Sequence, residues 1–310
     1  MSTCSTASRA LAEPPAATAA TARTWLLVEQ PGPWGAKALT DSRLDPVLGR
    51  ALERAAAGTG VRVALIRRPG RHPDRHGPAL RRVYLAHTLP GRSWVRTALL
   101  TGTDQLYGLD AAVMASLGAG DHGGLWEPYG GDPLALVCTN GRRDRCCAVL
   151  GRPLAAELAA SDACEVWETT HIGGHRFAPT LLVLPYGYAY GRLGGHAVKG
   201  VLDELRRGRI ATDGCRGRSA WDRPGQAADL AVRELTGEAG ADALTVAGTA
   251  GAAPRWDVTV AHADGRSWRV TVTEDTDVPP VTASCGAAPA VQPRVTAVDV
   301  TPLRPLPPKA

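Results

Sequence analysis

The sequence predicts an α/β fold: two runs of one element order, followed by a small C-terminal α+β extension. Three observations carry this. Each run opens on a nearly continuous apolar strand pattern, at 24–30 and again at 132–138. Each continues with a Gly-bounded helix pattern and a second strand. Each then shows two β-rich stretches around turn residues, and a closing helix. Strand–helix–strand, hairpin, helix is the thioredoxin-like pattern, a mixed sheet with helices on its faces. The repetition predicts two pseudo-repeated units.

The elements follow in order. Residues 1–22, rich in Ala, Thr, Pro and Ser, read as a disordered tail. The N-terminal half, 23–128, has strands at 24–30 and 61–68 around a helix at 42–60, and a polar loop at 71–78. Stretches 81–88 and 93–100 pair around a Leu-Pro-Gly-Arg turn, and 108–120 is a helix with Gly stops. The second half, 129–218, has a helix at 145–161 interrupted by Gly-Arg-Pro, a strand at 164–170 and a hairpin turned at Tyr186-Gly187. An amphipathic helix at 194–210 follows. The extension, 219–310, has a helix at 223–237 and a hairpin at 255–274 whose arms alternate around Asp264-Gly265. Its remainder, rich in Pro, Ala and Val, is tail-like.

Composition narrows the function. The chain of 310 residues carries 35 basic and 30 acidic side chains, a net charge of +5. Lysine appears only as Lys37, Lys199 and Lys309. A charge spread this thinly is a weak signal for any polyanionic partner. The arginine runs at 67–71 and 206–209 read as solvated faces, and the hairpin tip offers only Arg266 as a clear phosphate contact. Nucleic acid is therefore not expected as a partner. No stretch of about 18 apolar residues suggests a membrane span, and the start lacks the basic and apolar regions of a secretory signal. The expected location is cytoplasmic. In a reducing compartment, an odd count of seven cysteines is a poor disulfide framework.

Three of those cysteines lie within ten residues: Cys138, Cys146 and Cys147. They follow a strand and open a helix. A second cluster, His171-Ile-Gly-Gly-His175, follows the strand that ends Trp167-Glu168-Thr169-Thr170. In the predicted fold both loops sit at one end of one sheet, so thiols and imidazoles converge. Such ligands suit zinc or an iron–sulfur cluster better than magnesium or calcium. Seven or eight residues separate Cys138 from the vicinal pair. This is wider than the C-x2-4-C pairs of structural zinc sites, and a larger group such as a [2Fe–2S] cluster suits open loops. Gly173 and Gly174 allow positive φ and let backbone N–H groups face bridging sulfides. Taken singly, each histidine is more often structural and a vicinal thiol pair more often plain core. The combination favours a metal site.

These residues resemble the sucrase/ferredoxin-like family, thioredoxin-like proteins with a histidine-ligated [2Fe–2S] cluster. The resemblance runs through 24–35, 137–153, 166–193 and 217–235, and its specific part is H-x-G-G-H after the Trp-Glu strand. The family pattern also has a cysteine, an Arg-Asp pair and a second cysteine, which fall here on Cys138, Arg143-Asp144 and Cys147. The extra Cys146 departs from the pattern, and spacing selects Cys147. The resemblance implies that 129–218 is a ferredoxin half whose Cys138, Cys147, His171 and His175 bind a [2Fe–2S] cluster, with an unidentified redox protein or reductase as partner. It implies a non-enzymatic electron carrier. Arg143, Arg145 and Arg176 flank the site and could tune it or steer an acidic partner. Glu168 is a candidate outer partner for a histidine.

Rival functions have less behind them. A zinc protein could use the same four ligands. A thiol-redox enzyme needs a C-x-x-C dithiol, which is absent. Sucrase activity needs two placed carboxylates, and no pair is marked out. Residues 32–37 lack phosphate-loop spacing and read as a turn. If imidazole ligands take up a proton on reduction, the midpoint potential of the protein falls as pH rises. A midpoint that stays constant between about pH 6 and 9 would overturn this expectation.

Overall fold

The computed structural model describes residues 3–70, 80–161 and 164–303. The polar loop read at 71–78, with His72 and His76, lies outside them.

Helix α1 (Cys4–Ala10) comes first. The first run then gives β1 (Thr24–Glu29), α2 (Pro46–Ala56), β2 (Val61–Arg67), β3 (Arg81–His87), β4 (Trp94–Leu100), α3 (Ala111–Ala119) and a short β5 (Glu127–Pro128). The second gives β6 (Leu134–Cys138), α4 (Arg145–Ala160), β7 (Glu165–Thr169), β8 (Thr180–Leu184), β9 (Tyr188–Gly191), α5 (Gly195–Arg206) and β10 (Cys215–Arg218). The C-terminal part holds α6 (Arg223–Thr236) and strands β11 (Leu244–Ala252), β12 (Arg255–His262), β13 (Ser267–Asp275) and β14 (Arg294–Leu303). Helix starts follow local chemistry. Asp45, Asp110, Asp144 and Asp222 each cap a helix by accepting a backbone N–H of its first turn.

Strands β1 to β10 form one mixed sheet in the order β10-β9-β8-β6-β7-β2-β1-β3-β4-β5. Each run contributes a parallel pair first, β1 with β2 and β6 with β7. Its third strand then joins the first antiparallel, and its fourth joins the third. The runs meet where β2 and β7 pair antiparallel at Ile66–Thr169 and Arg67–Glu168.

Side-chain alternation assigns the faces. Leu26 and Val28 of β1 pack with α2 and α3, whereas Ala135 and Val137 of β6 pack with α4 and α5. The intervening residues, Trp25 and Leu27 of β1 and Leu134, Leu136 and Cys138 of β6, share a single core that crosses both runs. Cys138 therefore belongs to the face common to the two halves. In the C-terminal part, α6 covers a four-stranded antiparallel sheet, β11-β12-β13-β14. Among the described residues, no helix is long and apolar enough to cross a membrane.

Three expectations change. Residues 3–22 are not a disordered tail. Helix α1 buries Cys4 and Ser8, Ala17 is buried against α6, and Thr18 and Ala22 hydrogen-bond to the backbone of Arg216 and Ser219. Small Ala, Ser and Thr side chains fill this seam without the apolar periodicity that would have announced it. The stretch after the hairpin is likewise not all tail: β14 pairs along β13. Helix α4 also runs unbroken through Pro153. Proline there forfeits one helical hydrogen bond, and burial of Leu154, Ala155 and Leu158 holds the helix in place.

Gly151 lets α4 pass close to the end of β6; a Cβ at 151 would overlap the Cys138 carbonyl oxygen. Gly151→Ala is expected to push α4 away from Cys138 and cost about 1–3 kcal/mol by overpacking. Denaturant unfolding measures this, and unchanged stability would contradict the close approach.

Candidate metal centre

Strands β6 and β7 run side by side and parallel, so both release the chain at the same end of the sheet. Cys138 ends β6, and its register partner Thr169 ends β7. The loop after β6 enters α4 through Asp144, whose side chain accepts the Cys146 N–H at 2.8 Å. The loop after β7 carries His171 to His175. Cys146 and Cys147 occupy the first turn of α4, and neighbouring helical residues point in directions about 100° apart. Cys147 faces Cys138 and His171, while Cys146 faces Cys4 and Cys285.

The ligand atoms of Cys138, Cys147 and His171 lie within 4.8 Å of one another. The His175 ring stands 4.9 Å from that of His171, centroid to centroid. In both histidines Nδ1 is buried with no hydrogen-bond partner among the described residues. His175 Nε2 lies 3.6 Å from Asp144 Oδ2. Burial pushes His175 below the usual imidazole range, outweighing the pull of Asp144. Burial thus favours its neutral form, the form that ligates metals.

The thiols are coupled. A hydrogen bond from Cys147 draws Cys138 well below the ordinary thiol range against its burial, and His171 adds to the effect. The same hydrogen bond, together with burial, pushes Cys147 up. A proton held between two thiols is what a thiophilic metal displaces.

Two arginines complete the electrostatics. Arg216 is fully buried, donates to the Gly173 carbonyl at 3.1 Å and to Thr18 Oγ1 at 3.0 Å, and also reaches the Thr18 carbonyl. Burial pushes it down to about 10, and the Cys138 charge partly restores it. Arg62 donates to the His171 carbonyl at 3.1 Å and likewise faces the Cys138 charge. One buried and one half-buried cation beside the Cys138 sulfur favour an anionic occupant. Gly173 and Gly174 adopt φ +84° and +70°, and a Cβ at 174 would overlap the Arg216 guanidinium. The glycines therefore let the histidine loop lie against Arg216.

The other flanking candidates divide. Glu168 turns away from the histidines and accepts from Arg67 at 2.7 Å and Thr139 at 2.9 Å. Asp144 stands beside His175 instead. Arg176 pairs with Glu13 at 2.8 Å, whereas Arg143 and Arg145 are exposed. Sequence reasoning missed Arg62, Arg216 and the placement of Asp144. Of these, only the helix-cap position of Asp144 left a local signal. The sequence holds no local signal at all for Cys4 and Cys285, which meet Cys146 here.

The model of the sucrase/ferredoxin-like family matches residues 15–217, more than half of the chain. A 97-residue segment is 32% identical to altered inheritance of mitochondria protein 32 of Meyerozyma guilliermondii, covering 28% of this chain and 34% of that protein. The similarity thus spans about a third of that relative's length. No solved structure matches.

Gly174→Ala should displace either the histidine loop or Arg216 and lower the metal content of the purified protein several-fold. Elemental analysis checks this; wild-type metal content in the variant would show that the loop does not need its contact with Arg216.

Proposed function

The chain belongs to the sucrase/ferredoxin-like family, and from that premise we propose that it carries single electrons on a [2Fe–2S] cluster held by Cys138, Cys147, His171 and His175. The observation that carries this reading is the convergence of two thiols and two imidazoles from the ends of two adjacent parallel strands. The donor set fits the group. Both Nδ1 atoms are buried and unpartnered, and Cys147 shares its proton with a Cys138 sulfur held well below the ordinary thiol range. Such a cluster supplies one-electron chemistry, and histidine ligands raise its potential above the roughly −400 mV of plant-type ferredoxins.

The remaining roles fall to the chain itself. Asp144 faces His175 Nε2 and leaves Nδ1 as the free donor. Arg216 and Arg62 offset negative charge from below the histidine loop. The exposed Arg143 and Arg145 lie on the rim, where an acidic redox partner would dock. We read the two sheet halves as duplicated thioredoxin-like units, with the ligands confined to the second. We also read the protein as cytoplasmic, in keeping with seven free thiols. The second reading, zinc at the same four residues, draws on the same convergence. No paired carboxylates at this site support hydrolysis of a sugar.

Anaerobically purified protein should be red-brown, contain iron and sulfide, and give an EPR signal on reduction with dithionite. Cys138→Ser and His171→Ala should abolish or strongly shift these spectra. Unchanged spectra would overturn the ligand assignment, and a colourless wild type holding zinc at these residues would establish the second reading.

A further inference from the structure

Cys4, Cys146 and Cys285 form a second group that the proposed cluster does not use. Their sulfurs make a triangle with edges of 3.4 Å (Cys4–Cys146), 3.3 Å (Cys146–Cys285) and 3.6 Å (Cys4–Cys285). All three are free thiols, and their separations far exceed the roughly 2.05 Å of a disulfide bond. Three sulfurs around one tetrahedral zinc, with bonds near 2.3 Å, stand about 3.8 Å apart, so only slight outward relaxation is needed. The Asp144 carboxylate lies within 4.8 Å of all three sulfurs. It also fixes two of them through the backbone, accepting from Cys146 N and Cys285 N at 2.8 Å each. Cys4 and Cys146 are buried and Cys285 is half-buried, with Ala178 and Leu150 packed around them.

We propose that this group is a zinc site, with Cys4, Cys146 and Cys285 as thiolate ligands and Asp144 as the fourth. Soft sulfur donors select zinc over magnesium or calcium. Binding releases the thiol protons to solvent and leaves the oxidation states unchanged. The three cysteines come from α1, the first turn of α4 and the β13–β14 connection, with sequence separations of 142, 139 and 281 residues. An unfolded chain does not hold such a set, so zinc binding adds directly to folding. Its effect is to pin α1 and the β13–β14 connection over the start of α4, beside Cys147. The proposal stands independently of what Cys138 and the histidines hold.

The test is zinc, iron and sulfide content of anaerobically purified full-length protein, for wild type and for Cys4→Ser, Cys285→Ser and Cys138→Ser. Wild type should retain about one zinc per chain through gel filtration. Cys4→Ser and Cys285→Ser should lose that zinc while keeping whatever iron and visible spectrum wild type shows, and Cys138→Ser should keep the zinc. Cobalt added to zinc-free wild type should give the absorption of a tetrahedral thiolate complex. This measurement needs no variant and covers the case in which Cys4→Ser fails to fold. Background zinc in wild type together with no cobalt–thiolate absorption would overturn the proposal. So would a mass two hydrogens light, which marks a disulfide, or loss of iron from Cys285→Ser, which would assign these thiols to the iron site.

Discussion

A carboxylate with no exposed surface must be satisfied by donors that the fold supplies, and the arrangement around the metal centre depends on that requirement at Asp144. Burial opposes its ionisation. The N–H groups of Cys285 and Cys146, neighbouring His175 and the Ser284 hydroxyl overcome that and hold it below the usual carboxylate range. Among the described residues, no arginine or lysine pairs with it. Its hydrogen bonds therefore come from places that must stay where they are: the start of α4, the β13–β14 connection and the Cys4 thiol of α1. One side chain caps the helix that carries Cys147, faces the imidazole of His175 and anchors the distant Cys285. Its loss would release all three.

Around that anchor, the sheet does the positioning. Two adjacent parallel strands end together and leave a crevice between their loops, a common place for ligands in open α/β sheets. Alternation along β6 sends Cys138 to the face shared by both halves. From that face come the two arginines. Arg62 lies on β2 of the first half and Arg216 on β10 at the far edge of the sheet. Among the described residues the first half contributes no thiol or imidazole to the centre, yet it supplies a half-buried cation, Arg62. It also supplies the Gly35 carbonyl, which accepts from Asn140 in the loop after β6.

Much of this was legible in the chain. Apolar strand patterns, helix periodicity and turn residues marked most elements of the two halves, though not the short β5 and β10, because these signals act over a few residues. Cys138, Cys147, His171 and His175 stood out because chemistry and spacing coincide there. The misreadings share a cause. Residues 3–22 read as disordered because their small side chains become buried only against partners far away in sequence, some of them about two hundred positions on. Glu168 looked like a histidine partner because it is close in sequence, but strand alternation turned it toward Arg67.

The sequence by itself determined most of the element order in the two halves, the α/β class and four candidate ligands, since each rests on local periodicity or on residues within one motif. Only the tertiary structure decided which of two adjacent cysteines faces Cys138. The choice follows from the rotation of roughly 100° between helical neighbours, together with where the Asp144 cap starts the turn. It also decided that the remaining thiol meets Cys4 and Cys285. No local pattern encodes that meeting, because its residues lie 139 to 281 positions apart, and they become neighbours only once both sheets have packed.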